Sequence, residues 1–377
     1  METERHQKRR RIGNHADYVQ PCAIVSSFED SIAPLVPDPP VTADEYYPSA
    51  KDVSTTVRNI ENPSSRSNSL QALKQLRAWL MDEQIQSSML VLENFYCYGG
   101  IARILDFMEV NIDEWDCVVG TTAAIADFLS FRWNTTERNR KIAIELANMI
   151  VRRKGIQLLL RANREHAIMH KISSDTKYIW IALGRTMNGE ETRDSIDKDQ
   201  LLCILNDAID CIYHLEEIGN SRESSNSWTS DVIQVVLYAI ANTIKDPSIE
   251  KDVLKRIGLV ALCLRIMSTN DDWIRNDAVV TYALGILCIC AKQKAVITKQ
   301  EFEQLLPSLI YCMRNFGGDT QIRTFIFVLL ECTCEKVQKK MIESTGGLEA
   351  ISALLKSEGL GGQAKEKARV IIRKIIN

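Results

Sequence analysis

Residues 257–267 read IGLVALCLRIM, a glycine turn followed at once by an apolar helical run. The same text returns as GGIARILDFM at 99–108, KGIQLLLRA at 154–162 and GGLEAISALLK at 346–356. Glycine suits the end of the preceding helix because it adopts the left-handed conformation without a Cβ clash. Each run leads, after a polar break, to a second apolar helix at 118–131, 177–187, 273–291 or 363–376. Two further units lack the glycine, 201–212 leading to 231–244 and 302–313 leading to 321–334. The unit starts are thus 99, 154, 201, 257, 302 and 346, about six units, lengthened by inserts at 189–200 and 219–230. An alternation of this length exceeds what one compact bundle core usually holds. Stacking helical pairs on one another buries every apolar face, so the pattern predicts an all-α helical-repeat solenoid.

The periodicity inside the units supports helices. Ile233, Leu237, Ile240 and Ile244 recur at offsets of four, three and four, as do Val279, Ala283, Ile286 and Cys290, and Ala364, Ala368, Ile371 and Ile375. Such offsets place apolar side chains on one helical stripe. Seven of the nine prolines precede Ser65, leaving Pro247 and Pro307 in the remainder. Proline breaks helices, so its scarcity after Ser65 leaves room for many of them. Residues 1–65 carry no sustained period and are expected to form a disordered tail, because they bury too little apolar area to offset ordering entropy. Residues 66–377 form the expected solenoid. Its first helix begins near Ser67 or Ser69, either of which has a capping hydroxyl, and Leu70, Leu73, Leu76 and Leu80 then share a face.

Composition narrows the function. Forty-six basic against forty-nine acidic residues give a net charge of −3, which argues against direct, non-specific nucleic-acid binding. The start METERHQKRRR lacks the apolar core of a secretory signal. Cys203, Cys211, Cys263, Cys288, Cys290, Cys312 and Cys332 sit in apolar helical patterns, where a thiol behaves as a small hydrophobe. A reducing, cytoplasmic or nuclear compartment with free thiols follows as the expectation. The longest apolar run, 278–291, is shorter than the roughly 18 to 20 residues a membrane span needs.

Tyr238-Ala239-Ile240-Ala241-Asn242 and Tyr282-Ala283-Leu284-Gly285 resemble the third-helix text W-A-L-S-N of the armadillo repeat family. HEAT-like repeats, whose consensus is looser, are the other option. The resemblance covers roughly 67–377 and implies a right-handed, armadillo-like solenoid that binds protein or peptide segments on its concave face. Within the family, the importin-α type of nuclear-import adaptor pairs a tryptophan with an asparagine four residues on, because positions i and i+4 face the same way. Tyr238 with Asn242 is similar to such a pair; Trp180 is followed at that spacing by Gly184, and Tyr282 by Ile286. The basic cluster Lys8, Arg9, Arg10 and Arg11 is similar to the segment by which those adaptors engage an import receptor, and is a candidate localisation signal.

Motifs for chemistry are weak. Cys288-Ile289-Cys290 and Cys332-Thr333-Cys334 place two thiols roughly 200° apart on a helix, which cannot jointly hold zinc. His166 and His170 share a face, but HAIMH lacks the glutamate of H-E-x-x-H. No phosphate loop, dinucleotide fingerprint or nucleophile elbow occurs. The sequence therefore predicts a non-catalytic interaction scaffold without metal or cofactor. Trp180, Tyr238, Asn242, Trp273 and Tyr282 are the candidate partner contacts, and recognition of basic localisation peptides is the alternative reading.

Overall fold

The computed structural model describes residues 48–60, 65–81, 85–130, 136–168, 173–220, 227–246, 248–269, 271–294, 297–316 and 319–333, with a few positions beyond. The basic cluster 8–11, His170 and nearly all of the unit starting at 346 lie outside the described residues. Secondary structure among the described residues is entirely helical.

The helices are α1 (Ala50–Asn59), α2 (Arg66–Met81), α3 (Ile85–Cys97), α4 (Gly100–Val110), α5 (Trp115–Phe128), α6 (Glu137–Arg152) and α7 (Gly155–Ala162). They continue with α8 (Lys177–Thr186), α9 (Lys198–Asn220), α10 (Ser227–Thr243), α11 (Leu259–Thr269), α12 (Asp277–Ile289), α13 (Lys299–Asn315) and α14 (Thr320–Thr333). Short turns of helix at Glu190–Arg193, Lys251–Arg256 and Asp271–Ile274 sit in the connections.

Contacts between these helices follow the repeat read from the sequence. A row is formed by α2, α5, α8, α10, α12 and α14, each packed on the next. A second helix lies against each row member from α5 onward: α4 on α5, α7 on α8, α9 on α10, α11 on α12 and α13 on α14. These five pairs are the first five units expected from the sequence. Row position explains a difference from the amphipathic reading. In α10 every residue from Val232 through Thr243 is buried, because α8, α12 and α9 cover three of its sides. A helix buried all round carries apolar side chains all round.

Backbone turns mark the pairs. Gly99 (φ 68°), Lys154 (φ 57°) and Gly258 (φ 70°) are the positive-φ residues among those described. Each directly precedes the helix that opens a unit: α4, α7 and α11. Caps fix other starts. The Asn276 side chain accepts from the Ala278 and Val279 amides, and Thr298 and Glu301 close a capping box on α13.

Two expectations are corrected. The stretch assigned to a tail through residue 65 contains α1, which begins at a capping box between Ser49 and Asp52 and buries Val53, Val57 and Ile60. The cap of α2 is Ser65 rather than Ser67 or Ser69: Asn68 N–H donates to Ser65 Oγ at 3.3 Å, while buried Ser69 donates to the carbonyls of Asn59 and Ile60. The insert at 189–200 holds the short helix Glu190–Arg193 and the first residues of α9. There Arg193, itself buried, donates through Nη1 to the carbonyls of Met187 (3.0 Å) and Asn188 (2.9 Å), satisfying the end of α8.

Candidate binding surface

Polar or aromatic contacts join every successive pair in the row. Arg77 Nε of α2 donates to Asp127 Oδ2 of α5 at 2.6 Å. Arg185 Nη1 of α8 donates to the Ala126 carbonyl at 2.5 Å. Asn242 Nδ2 of α10 donates to the Gly184 carbonyl of α8 at 3.0 Å, and Lys245 Nζ donates to Asn242 Oδ1 at 2.8 Å. Tyr238 of α10 meets Tyr282 of α12 edge to face, with ring centroids 5.9 Å apart. The Cys288 thiol of α12 donates to the Phe325 carbonyl of α14 at 3.2 Å.

This arrangement overturns the expected contact residues. Trp180, Tyr238, Asn242, Trp273 and Tyr282 are all buried, at 0–1% exposure. They are interior joints between helices and offer no surface to a partner. The reason is close approach: Gly184 has no side chain, so the Tyr238 ring lies where a Cβ would stand, 2.5 Å from its Cδ1. Trp180 lies beside Cys211, whose thiol burial pushes up to about 12, against the opposing effect of the indole. His166, on a π-helical turn after α7, is buried with a ring nitrogen against the Ile112 carbonyl and its ring 5.1 Å from that of Trp115. Among the described residues no group of metal-ligating side chains assembles, and no helix is long and apolar enough to cross a membrane.

Ion pairs also tie the second helices to their neighbours. Arg153 Nη1 lies 3.0 Å from Asp106 Oδ1, joining the end of α6 to α4. Arg164 grips Asp207 of α9 through Nε (2.8 Å) and Nη2 (2.9 Å), and Arg265 Nη2 of α11 lies 2.7 Å from Glu216 Oε2 of α9. Burial raises both carboxylates, against the lowering effect of their arginines. The Lys154 turn borders a groove of about 480 Å³ whose apolar lining is Leu105 and Leu158. Its charged rim is Asp106, Glu109, Arg152, Arg153, Lys154 and Arg161. Sequence reading passed over this site. Its signal was the run Arg152-Arg153-Lys154 directly before the Gly155 turn, visible as charge but not as concavity.

No protein-family model matches the chain, and no curated protein sequence matches it. Among solved structures, the crystal structure of Uso1-2 is similar, with a TM-score of 0.56 at 13% identity. The likeness covers 89% of this chain and 52% of the other, so the chain spans about half the length of that structure. At this identity the likeness is one of fold, and it supports a helical, repeat-like architecture.

Proposed function

We propose that the chain is a non-catalytic protein-interaction scaffold of the cytoplasm or nucleus, built as an armadillo-like solenoid. The observation that carries this reading is the serial row of α2, α5, α8, α10, α12 and α14, each backed from α5 onward by a second helix. Stacking of this kind spreads surface along many units instead of enclosing one deep site. The groups pushed furthest from their ordinary values, Cys211, Cys263 and Cys312, are buried thiols whose shifts come chiefly from burial. Catalytic groups, by contrast, gather in clefts beside specific charge partners.

The alternative of an import adaptor loses its main residue, because the Asn242 amide is spent on Gly184 and Lys245 inside the protein. The basic cluster 8–11, which carries the import-receptor reading, lies outside the described residues.

Affinity capture of the full chain from its own cells, followed by reconstitution with each purified candidate, tests the proposal. A stable complex with at least one purified protein is the expected result. If every captured protein fails to bind the purified chain directly, the scaffold reading falls.

A further inference from the structure

The groove at the Lys154 turn runs against the charge of the molecule around it. The chain as a whole is acidic, at −3, yet the groove sets four basic side chains against two acidic ones. Two of the four are already occupied: Arg153 holds Asp106 and Arg161 holds Glu165, with Asp113 and Glu109 also near Arg161. The side chains of Arg152 and Lys154 have no hydrogen-bond or ion-pair partner among the described residues, and both residues are exposed on the rim.

Lys154 is also the one non-glycine residue with positive φ among those described. At the corresponding turns before α4 and α11 the position belongs to Gly99 and Gly258. A lysine there accepts a conformation that its Cβ disfavours, and backbone strain of this kind concentrates at functional sites. The side chain it gains by doing so is a cation at the mouth of the groove.

We infer that this groove binds an acidic peptide segment of a protein partner, with Arg152 and Lys154 as the anchoring cations. The inference rests on the scaffold reading above. A peptide fits better than a nucleic acid, because two available cations, Arg152 and Lys154, are too few to neutralise a continuous phosphate backbone, while Leu105 and Leu158 offer apolar contact to side chains between acidic positions. Charge complementarity of this kind sets specificity and association rate.

Fluorescence anisotropy with the full chain provides the test, using a labelled peptide of alternating Glu and Gly, with Gln–Gly and Lys–Gly peptides and a single-stranded DNA oligomer beside it. The Glu–Gly peptide should bind, weaken with added salt, and outcompete the other three. Arg152→Glu should lower its affinity by about tenfold or more, equal to ~1.4 kcal/mol. Lys154→Gly should weaken it severalfold without lowering the melting temperature, which separates lost binding from lost folding. Lys255→Glu, at the turn of Gly258, should change nothing. Absence of Glu–Gly binding, equal affinity for wild type and both variants, or preference for the Lys–Gly peptide or the DNA would each overturn the inference. A reconstituted partner that binds the Arg152→Glu and Lys154→Gly chains as tightly as wild type would also overturn it, while leaving the scaffold reading intact.

Discussion

Asn242 and Gly184 are locked together: the amide nitrogen of one donates to the carbonyl of the other at 3.0 Å, across the contact between α10 and α8. Both are buried, so the bond is an internal joint and its loss is a matter of stability. Replacing Asn242 with Ala removes the joint and leaves the buried Gly184 carbonyl without this donor. A buried polar group left without a partner costs about 1–3 kcal/mol. Asn242→Ala should lower unfolding free energy by that amount in urea melts followed by circular dichroism. A variant as stable as wild type would refute the structural role.

Gly184 makes a second demand on the same interface. A Cβ there would lie 2.5 Å from Tyr238 Cδ1 and 3.3 Å from Ala239 Cα, and the backbone atom cannot step aside. Gly184→Ala should therefore destabilise by about 1–3 kcal/mol, the usual range for overpacking. Pairing it with Tyr238→Leu should recover part of the loss, giving a favourable coupling in a double-mutant cycle. Simple additivity would show that the ring is not the obstacle.

The thiols divide by burial. Cys97, Cys203 and Cys332 are exposed, whereas Cys117, Cys211, Cys263, Cys288, Cys290 and Cys312 are buried. Cys211 and Cys312 are pushed up to about 12, so they hold their protons at neutral pH. Only the thiolate is an effective nucleophile. Among these nine, an aromatic disulfide reagent should modify the first three in the native protein and the rest only after denaturant is added. Rapid native labelling of Cys211 would contradict the packing of α9 on α10.

Glu216 offers a pH test. Burial raises its carboxyl above the ordinary 4.5, with Arg265 pulling the other way. The folded state then binds the proton more tightly than the unfolded state, so the group favours folding at low pH. That contribution is complete below 4.5 and is lost as pH rises through the raised value. The stability of wild type relative to Glu216→Gln should accordingly fall as pH climbs from below 4.5 and then level off. A difference that grows with pH over this window would mean that the ion pair with Arg265 outweighs burial.

Lys154 is expected to cost stability for the sake of its charge. A non-glycine residue in the left-handed region costs roughly 1–2 kcal/mol, part of which glycine gives back through its freer unfolded chain. Lys154→Gly should therefore raise stability by up to about 1 kcal/mol in the same urea melts. A clear loss would show that the lysine side chain packs usefully in the folded state.

Much of the fold was legible in the sequence because it depends on local text. The second apolar helices expected at 118–131, 177–187 and 231–244 overlap α5, α8 and α10, and the glycine turns at 99 and 258 take positive φ as their residue type allows. Helix α1 was legible too: Ser49 and Asp52 are a capping box, and Val53 and Val57 share a face. The prolines just upstream drew that stretch into the tail. What periodicity cannot convey is how many neighbours a helix has. Tyr238 and Asn242 have the spacing of a binding pair, yet α10 is covered on three sides and the pair is spent on α8 and α12. The groove was hidden for a similar reason, since Asp106 and Arg153 are far apart in the chain and meet only after α6 returns to α4.

The serial packing of the row also bears on how such a chain changes over generations. A helix such as α8 answers chiefly to α5 before it and α10 after it, so a substitution there needs accommodation from two partners in the row and not from the whole core. Folded inserts like the turn at Glu190–Arg193 lengthen a connection while leaving those partnerships in place. The sequence can therefore change unit by unit while the order of contacts endures.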